Sequence, residues 1–222
     1  MRTWAFVSQK GGVGKSTIST QLAVLAGQMG EKVIIIDLDP QGSAYAWHQI
    51  RGSETSPPVA RAVPERLVNA MEAAAELDAF TLAIVDTAPH TDRGALEAVA
   101  EADLIICPTR PSNLDLGAMK DTARLLEMSD CMCKAVAVIN AVPSSSAKKT
   151  YAKAAQLVTN IGIRVASKYI VDRVAYTKAT DAGKGVTEMK GDAKASDEIT
   201  ALWQELLDAE KALKRVKEVA ND

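Results

Sequence analysis

Trp4-Ala5-Phe6-Val7-Ser8-Gln9-Lys10-Gly11-Gly12-Val13-Gly14-Lys15-Ser16-Thr17 is the stretch whose reading decides the fold. An apolar strand, Trp4–Val7, runs into a glycine-rich turn, and a helical pattern starts at Ser16. Glycines let the backbone of Gly11, Gly12, Val13 and Gly14 curl so that successive N–H groups point inward at phosphate. The following helix adds its free N–H groups and positive dipole end. Lys15 is placed to reach the β- and γ-phosphates, and the Ser16 hydroxyl to ligate Mg²⁺. Thr17 offers a further hydroxyl near the α-phosphate. The ordinary phosphate-loop pattern, G-x-x-x-x-G-K-[ST], needs glycine at position 9. Gln9 stands there instead, and an extra lysine, Lys10, opens the glycine run.

Two more apolar runs end in carboxylates. Val33–Asp37 continues as Asp37-Leu38-Asp39-Pro40-Gln41-Gly42. Strand alternation puts Asp37 and Asp39 on one face if the strand extends that far. Leu82-Ala83-Ile84-Val85-Asp86-Thr87-Ala88-Pro89 reads as a Walker B strand, with Asp86 holding Mg²⁺ through a water. Alone, an apolar run ending in Asp is common; after a phosphate loop, it is specific. The Thr87–Thr91 segment is then positioned to sense the γ-phosphate, with His90 a surface residue of that loop. His48 is placed on a helix face. Two isolated histidines form no metal cluster.

Strand and helix patterns alternate along the chain. Strands are expected at Trp4–Val7, Val33–Asp37, Val59–Val63, Leu82–Asp86, Leu104–Cys107, Ala135–Asn140 and Arg164–Val171. Helices are expected at Ser16–Met29, Pro64–Leu77, Gly94–Ala100, Leu114–Met128, Ala147–Ile161, Val174–Ala182 and Ser196–Val219. Alternation with continuously apolar strands predicts an α/β fold, a predominantly parallel sheet covered by helices on both faces. Ligands of such sheets bind at the carboxyl ends of the strands, where the motifs above fall. One domain spanning 1–222 is expected, with the helix at 196–219 packed on it through Ile199, Leu202, Trp203, Leu206 and Leu207.

Lys10 opening the loop and the D-x-D-P-Q-G run together resemble the deviant Walker A ATPases, the ParA/MinD superfamily. The likeness runs from residue 3 to about residue 207. It takes in Asp172-Arg173-Val174-Ala175-Tyr176 and Gly183-Lys184-Gly185-Val186-Thr187-Glu188. The chain resembles the short type, similar in size to ParF, without an N-terminal helix-turn-helix. The resemblance implies ATP and Mg²⁺ as cofactors and an ATP-dependent homodimer in which Lys10 crosses to the partner's nucleotide. It makes Lys10, Lys15 and Asp39 catalytic, with Asp39 positioning the attacking water. Asp37 becomes a supporting ligand of the metal's waters beside Ser16 and Asp86. Asn140 becomes the adenine reader, since its amide offers both donor and acceptor. Pro108-Thr109-Arg110-Pro111-Ser112-Asn113-Leu114-Asp115 is similar to a stretch near the family's dimer face. Asp115 is a candidate there, or else an acid at a helix N-terminus.

Charge is uneven. Lys148, Lys149, Lys153, Arg164, Lys168, Arg173, Lys178, Lys184, Lys190 and Lys194 face only Asp172, Asp181, Glu188 and Asp192 between residues 148 and 194. That stretch carries +6 in a chain of net charge −2. With the resemblance, it suggests sequence-independent DNA binding, with Lys148, Lys149, Lys153, Arg164, Lys168, Arg173, Lys178 and Lys184 as contacts. The implied function is an ATP switch that positions plasmid, chromosome or protein-cluster cargo on the nucleoid, its hydrolysis stimulated by a ParB-like partner. A MinD-like membrane switch is the alternative, but the terminal stretch 210–222 has a thin apolar stripe interrupted by acids, so no membrane partner is expected. DNA-transfer factors of the VirC type share the layout. A metabolic or electron-transfer enzyme of the same fold would leave Lys10 and the basic stretch without a task. No apolar run approaches the roughly 18 residues of a membrane span, the N-terminus has no signal-peptide layout, and three cysteines cannot all pair. Reduced thiols in a cytoplasm are expected, with Cys131 and Cys133 partly buried.

Overall fold

Every strand that carries a motif is apolar on both of its faces because helices cover both faces of the sheet. The computed structural model describes residues 1–52, 54–76, 79–89 and 92–221. Its strands are β1 (Arg2–Phe6), β2 (Val33–Asp37), β3 (Val59–Arg61), β4 (Leu82–Asp86), β5 (Leu104–Thr109), β6 (Ala135–Ile139) and β7 (Arg164–Val165). Its helices are α1 (Lys15–Gln28), α2 (Ser43–Arg51), α3 (Leu67–Glu76), α4 (Asp92–Glu101), α5 (Asn113–Met128), α6 (Ala147–Thr159), α7 (Val174–Asp181) and α8 (Ala193–Asn221). The strands lie in the order β3-β2-β4-β1-β5-β6-β7, all parallel.

Alternate residues of the strands divide the core in two. Trp4, Phe6, Ile35, Ile84, Leu104 and Ile106 face α1, α2, α7 and α8. Ala5, Val7, Ile36, Val85, Ile105 and Cys107 face α4, α5 and α6. Each fully buried Leu, Ile or Phe contributes about 1.5–3 kcal/mol relative to exposure. The closing helix packs on the sheet through an apolar stripe. Ile199, Leu202, Trp203 and Leu206 join the first core and Leu207 is partly buried against it, with the Trp203 ring 4.9 Å from that of Trp4. The buried Glu210 carboxylate accepts from the Trp4 indole and the Arg2 guanidinium, anchoring the helix near its exposed end.

The structure differs from the expectations in several places beyond small shifts of element ends, such as β3 stopping at Arg61 and a 3-10 turn at Pro64–Arg66 before α3. The last strand is two residues long rather than reaching Val171. The N–H groups of Ser167 and Lys168 turn away from the sheet to the Glu205 carboxylate of α8, and the chain returns to β6 where the Ile170 N–H donates to the Ile139 carbonyl, followed by a bridge between Val171 and Val142. Helix α2 has no boundaries legible in the sequence, although His48 does fall on a helix. The closing helix begins at Ala193, where Asp192 accepts from the Ala195 N–H. Cys131 is buried, but Cys133 is exposed. Leu77, expected to end a helix, and His90 and Thr91, expected in the γ-phosphate loop, lie outside the described residues.

Candidate nucleotide site

Parallel register delivers the carboxylates to one place. Asp37 pairs with Asp86 across β2 and β4, and Phe6, the last residue of β1, pairs with Asp86 from the other side. The glycine loop therefore leaves the sheet beside two acids. Strands β4 and β5 flank β1 on either side, which makes the end of β1 a switch point of the kind where ligands bind in open parallel sheets. A cavity of about 280 Å³ opens there, lined by Gly11, Gly12, Gly14, Lys15, Ser16, Thr17, Thr20, Asp39, Ser43, Trp47, Pro89 and Thr180.

The loop is held from behind. Gly14 has φ +99°, and a Cβ there would lie 2.2 Å from the Asn140 Nδ2. Both facts require glycine. Asn140 Nδ2 donates to the Val13 carbonyl at 2.8 Å, and the Gln9 N–H donates to Thr122 Oγ1 at 3.2 Å. Asn140 thus straps the loop. One of the amide hydrogens expected to read adenine is committed to Val13.

Asp37 also has a scaffold task. Its two oxygens accept from the N–H groups of Asp39 and Tyr45, both at 3.0 Å. The second of these caps α2 from eight residues upstream, replacing the missing side-chain cap at Gly42. A remote cap leaves no local sequence signature, which is why the start of α2 is hidden in the sequence. Burial raises the Asp37 pKa above the ordinary carboxylate range, and the two N–H groups pull it back. Asp39 lines the cavity, with Oδ1 accepting from the Gln41 N–H at 2.8 Å.

Asp86 ends β4 among these groups. It is wholly buried, and neither oxygen has a hydrogen-bond partner of good geometry among the described residues. Burial pushes its pKa up to about 7, the neighbouring Asp37 and Asp39 add to the rise, and Ser16 and Lys15 oppose it. Lys15 is buried beside it; desolvation lowers its pKa while Asp86 and Asp39 hold it up. A buried, unpartnered carboxylate next to a lysine, a serine hydroxyl and a glycine cradle fits a hydrated divalent cation carried by a polyphosphate. Ser16 and Asp86 would hold that cation, with Asp37 behind them, and it would supply charge neutralisation on the phosphates.

Asp86 should make stability depend on pH. Between its unfolded pKa near 3.8 and its folded value of about 7, the folded chain binds the extra proton. Stability therefore falls as pH rises through that window and levels off above it. Asp86→Asn should melt higher than the parent at pH 8 without nucleotide or metal, and the gap should narrow steadily as pH falls and close only near the unfolded pKa of 3.8. Thermal melts across pH check this; a gap that is constant with pH would contradict it.

Of the other predicted residues, Asp115 forms a reciprocal cap with Ser112 at the start of α5. Lys10 is half-buried and is not among the residues lining the cavity. The basic candidates do not share one face. Lys148, Lys149 and Lys153 are exposed on α6, which packs on one side of the sheet, whereas Lys178 and Lys184 are exposed on and just after α7, on the other. Exposed Arg164 and Lys168 lie at the β7 edge between them. Arg173 departs from expectation: its guanidinium is paired with Glu198 at 2.6 Å and is half-buried. Its charge is committed within the chain. Sequence reasoning missed Thr20, Ser43, Trp47 and Thr180 in the cavity wall, since their elements reach the site only through tertiary packing.

Residues 4–186 match the family described as CobQ/CobB/MinD/ParA nucleotide binding domain. The maintenance of carboxysome distribution protein A of Halothiobacillus neapolitanus is 27% identical over 210 residues, covering 92% of this chain and 96% of that protein. Its namesake from Gloeobacter kilaueensis is 36% identical over 122 residues, a match that spans only about half of each chain, 54% and 55%. Among solved structures, the MinD cell division protein of Aquifex aeolicus superimposes with a TM-score of 0.75 at 17% identity, covering 94% of this chain and 97% of that one. The glycine cradle, the buried Lys15 and Asp86 beside it and the parallel strand order agree with that match: this chain belongs to the CobQ/CobB/MinD/ParA nucleotide-binding family.

Proposed function

We propose that this chain is an ATP-driven positioning switch of the ParA type, hydrolysing ATP slowly with Mg²⁺. The observation that carries the reading is the cavity in which Lys15, Ser16 and Asp39 converge above buried Asp86. Within it, the loop N–H groups and Lys15 bind the phosphates, and the Asp39 carboxylate orients the attacking water. ATP would join two copies face to face. Lys10 would reach the partner's nucleotide, the role its resemblance to the family's loop-opening lysine implies. Transition-state charge is then met by a cation delivered by the partner, as an arginine finger does.

The dimer binds DNA without sequence preference through exposed basic residues centred on the β7 edge, Arg164 and Lys168, with the lysines of α6 and α7 on either side of it, and a ParB-like partner accelerates hydrolysis and release. Doubling the patches raises affinity through effective concentration, so that residence on the nucleoid follows nucleotide state. The cargo belongs to the class named by the relatives, carboxysomes or chromosomes. No described helix is long and apolar enough to cross a membrane. The test is fluorescence anisotropy on unrelated duplexes with ATP and with ADP across a salt series. Binding should require ATP, ignore sequence and fall with salt by a log–log slope of about −0.9 per phosphate contact. Equal binding with ADP, or none at low salt, would refute the DNA part.

A further inference from the structure

The segment Gly183–Glu188 has a sequence likeness but no task so far, and it comes directly after a residue in the cavity wall. Thr180 stands in the last turn of α7, lines the cavity with the glycine loop, and has a buried hydroxyl with no protein partner among the described residues. A threonine in a helix can donate to the carbonyl of the preceding turn; this one does not. A buried hydroxyl left free on the wall of a polar cavity is a group awaiting a ligand.

The turn after Thr180 fixes its position. Gly183 has φ +64°, and a Cβ there would lie 2.4 Å from the Arg51 backbone N, so only glycine lets this turn approach α2 so closely. Arg51 donates to the Gly183 carbonyl at 2.9 Å and grips Glu188 with both terminal nitrogens at 2.7 Å. Gln21 of α1 donates to the Lys184 carbonyl at 3.2 Å and accepts from the Val186 N–H at 2.6 Å. The clasp therefore holds both helices that leave the nucleotide motifs: α1 after the glycine loop and α2 after the Asp39 turn. His48 Nδ1 of α2 and Thr187 Oγ1 of the clasp are also buried without partners among the described residues.

We propose, resting on the Mg-ATP reading above, that Thr180 is a further residue of the nucleotide site. Its hydroxyl hydrogen-bonds an oxygen of the phosphate–metal–water shell, which makes α7 a third sensing wall beside the glycine loop and the Asp39 turn.

Thr180→Val tests it, because valine keeps the β-branched shape and removes only the hydroxyl; Thr180→Ser keeps the hydroxyl. The probe is Mg-ATP, followed by tryptophan fluorescence, since Trp47 lines the same cavity, and by the Mg-ATP-induced shift in melting temperature. Thr180→Val should bind Mg-ATP about 3- to 10-fold more weakly, the effect of one lost hydrogen bond. Thr180→Ser should stay within about twofold of the parent, and both should melt like it without ligand. If the parent binds Mg-ATP and Thr180→Val binds it equally well, the proposal falls while the nucleotide reading stands. Should the parent itself bind no Mg-ATP, both fall.

Discussion

Asp39→Ala should bind Mg-ATP nearly as well as the parent and hydrolyse it about 10²- to 10⁴-fold more slowly, the loss expected when a positioned proton-accepting group is removed. Asp39 lines the cavity and is half-exposed, whereas Asp37 and Asp86 are buried. Of the three acids it alone is accessible to a water attacking from the open side. Its substitution should cost little binding, because Lys15 and the loop N–H groups hold the phosphates. With hydrolysis blocked, the ATP-bound dimer should accumulate, and light scattering should show the mass doubling on addition of Mg-ATP. Lys10→Ala in this background should weaken the dimer more than it weakens ATP binding. Asp39 also accepts from the Gln41 N–H, so alanine loosens the turn as well. Asp39→Asn separates the two effects, because its amide oxygen keeps that acceptor while the carboxylate charge is gone. If Asp39→Asn hydrolyses ATP at the parental rate, Asp39 loses its role; if the mass does not change with Mg-ATP, the face-to-face dimer is excluded.

Lys15→Ala should have the largest effect on binding. Its ammonium lies in a buried setting against Asp86 and Asp39, where desolvation disfavours the charge and the two acids preserve it. Removing it leaves the phosphates without their close cation and Asp86 without an opposing charge. Losing charge-assisted hydrogen bonds to the phosphates costs about 1.5–3 kcal/mol each, so Mg-ATP affinity should fall by at least about 10-fold to 10²-fold. Titration calorimetry measures it. A dissociation constant within threefold of the parent would show that Lys15 does not touch the phosphates. Lys15→Arg should not rescue, because a wide planar guanidinium does not reproduce the compact point charge of an ammonium between phosphate oxygens and buried acids.

Much of this site was legible in the chain because its signals are local. A strand, a glycine run and Lys-Ser at a helix start specify a phosphate cradle wherever they occur in that order. Apolar runs ending in Asp37 and Asp86 specify acids at strand ends, and their continuous apolarity forces two helical layers. The stripe Ile199, Leu202, Trp203 and Leu206 declared its burial through helical spacing alone.

Tertiary structure decided whatever depends on groups far apart in sequence. Whether β7 continues is settled by Glu205 of α8, which captures the N–H groups a longer strand would need. Helix α2 is capped by Asp37 from the preceding strand. Asn140 works on Val13, and Arg173 answers Glu198 rather than a distant phosphate. The basic stretch reads as one run in sequence, yet the sheet passes between α6 and α7 and divides it between two faces. In each case the reason is the same: local periodicity specifies which face a side chain points from, but the partner that satisfies a hydrogen bond or a charge is chosen by the parallel register and by the helices folded across it.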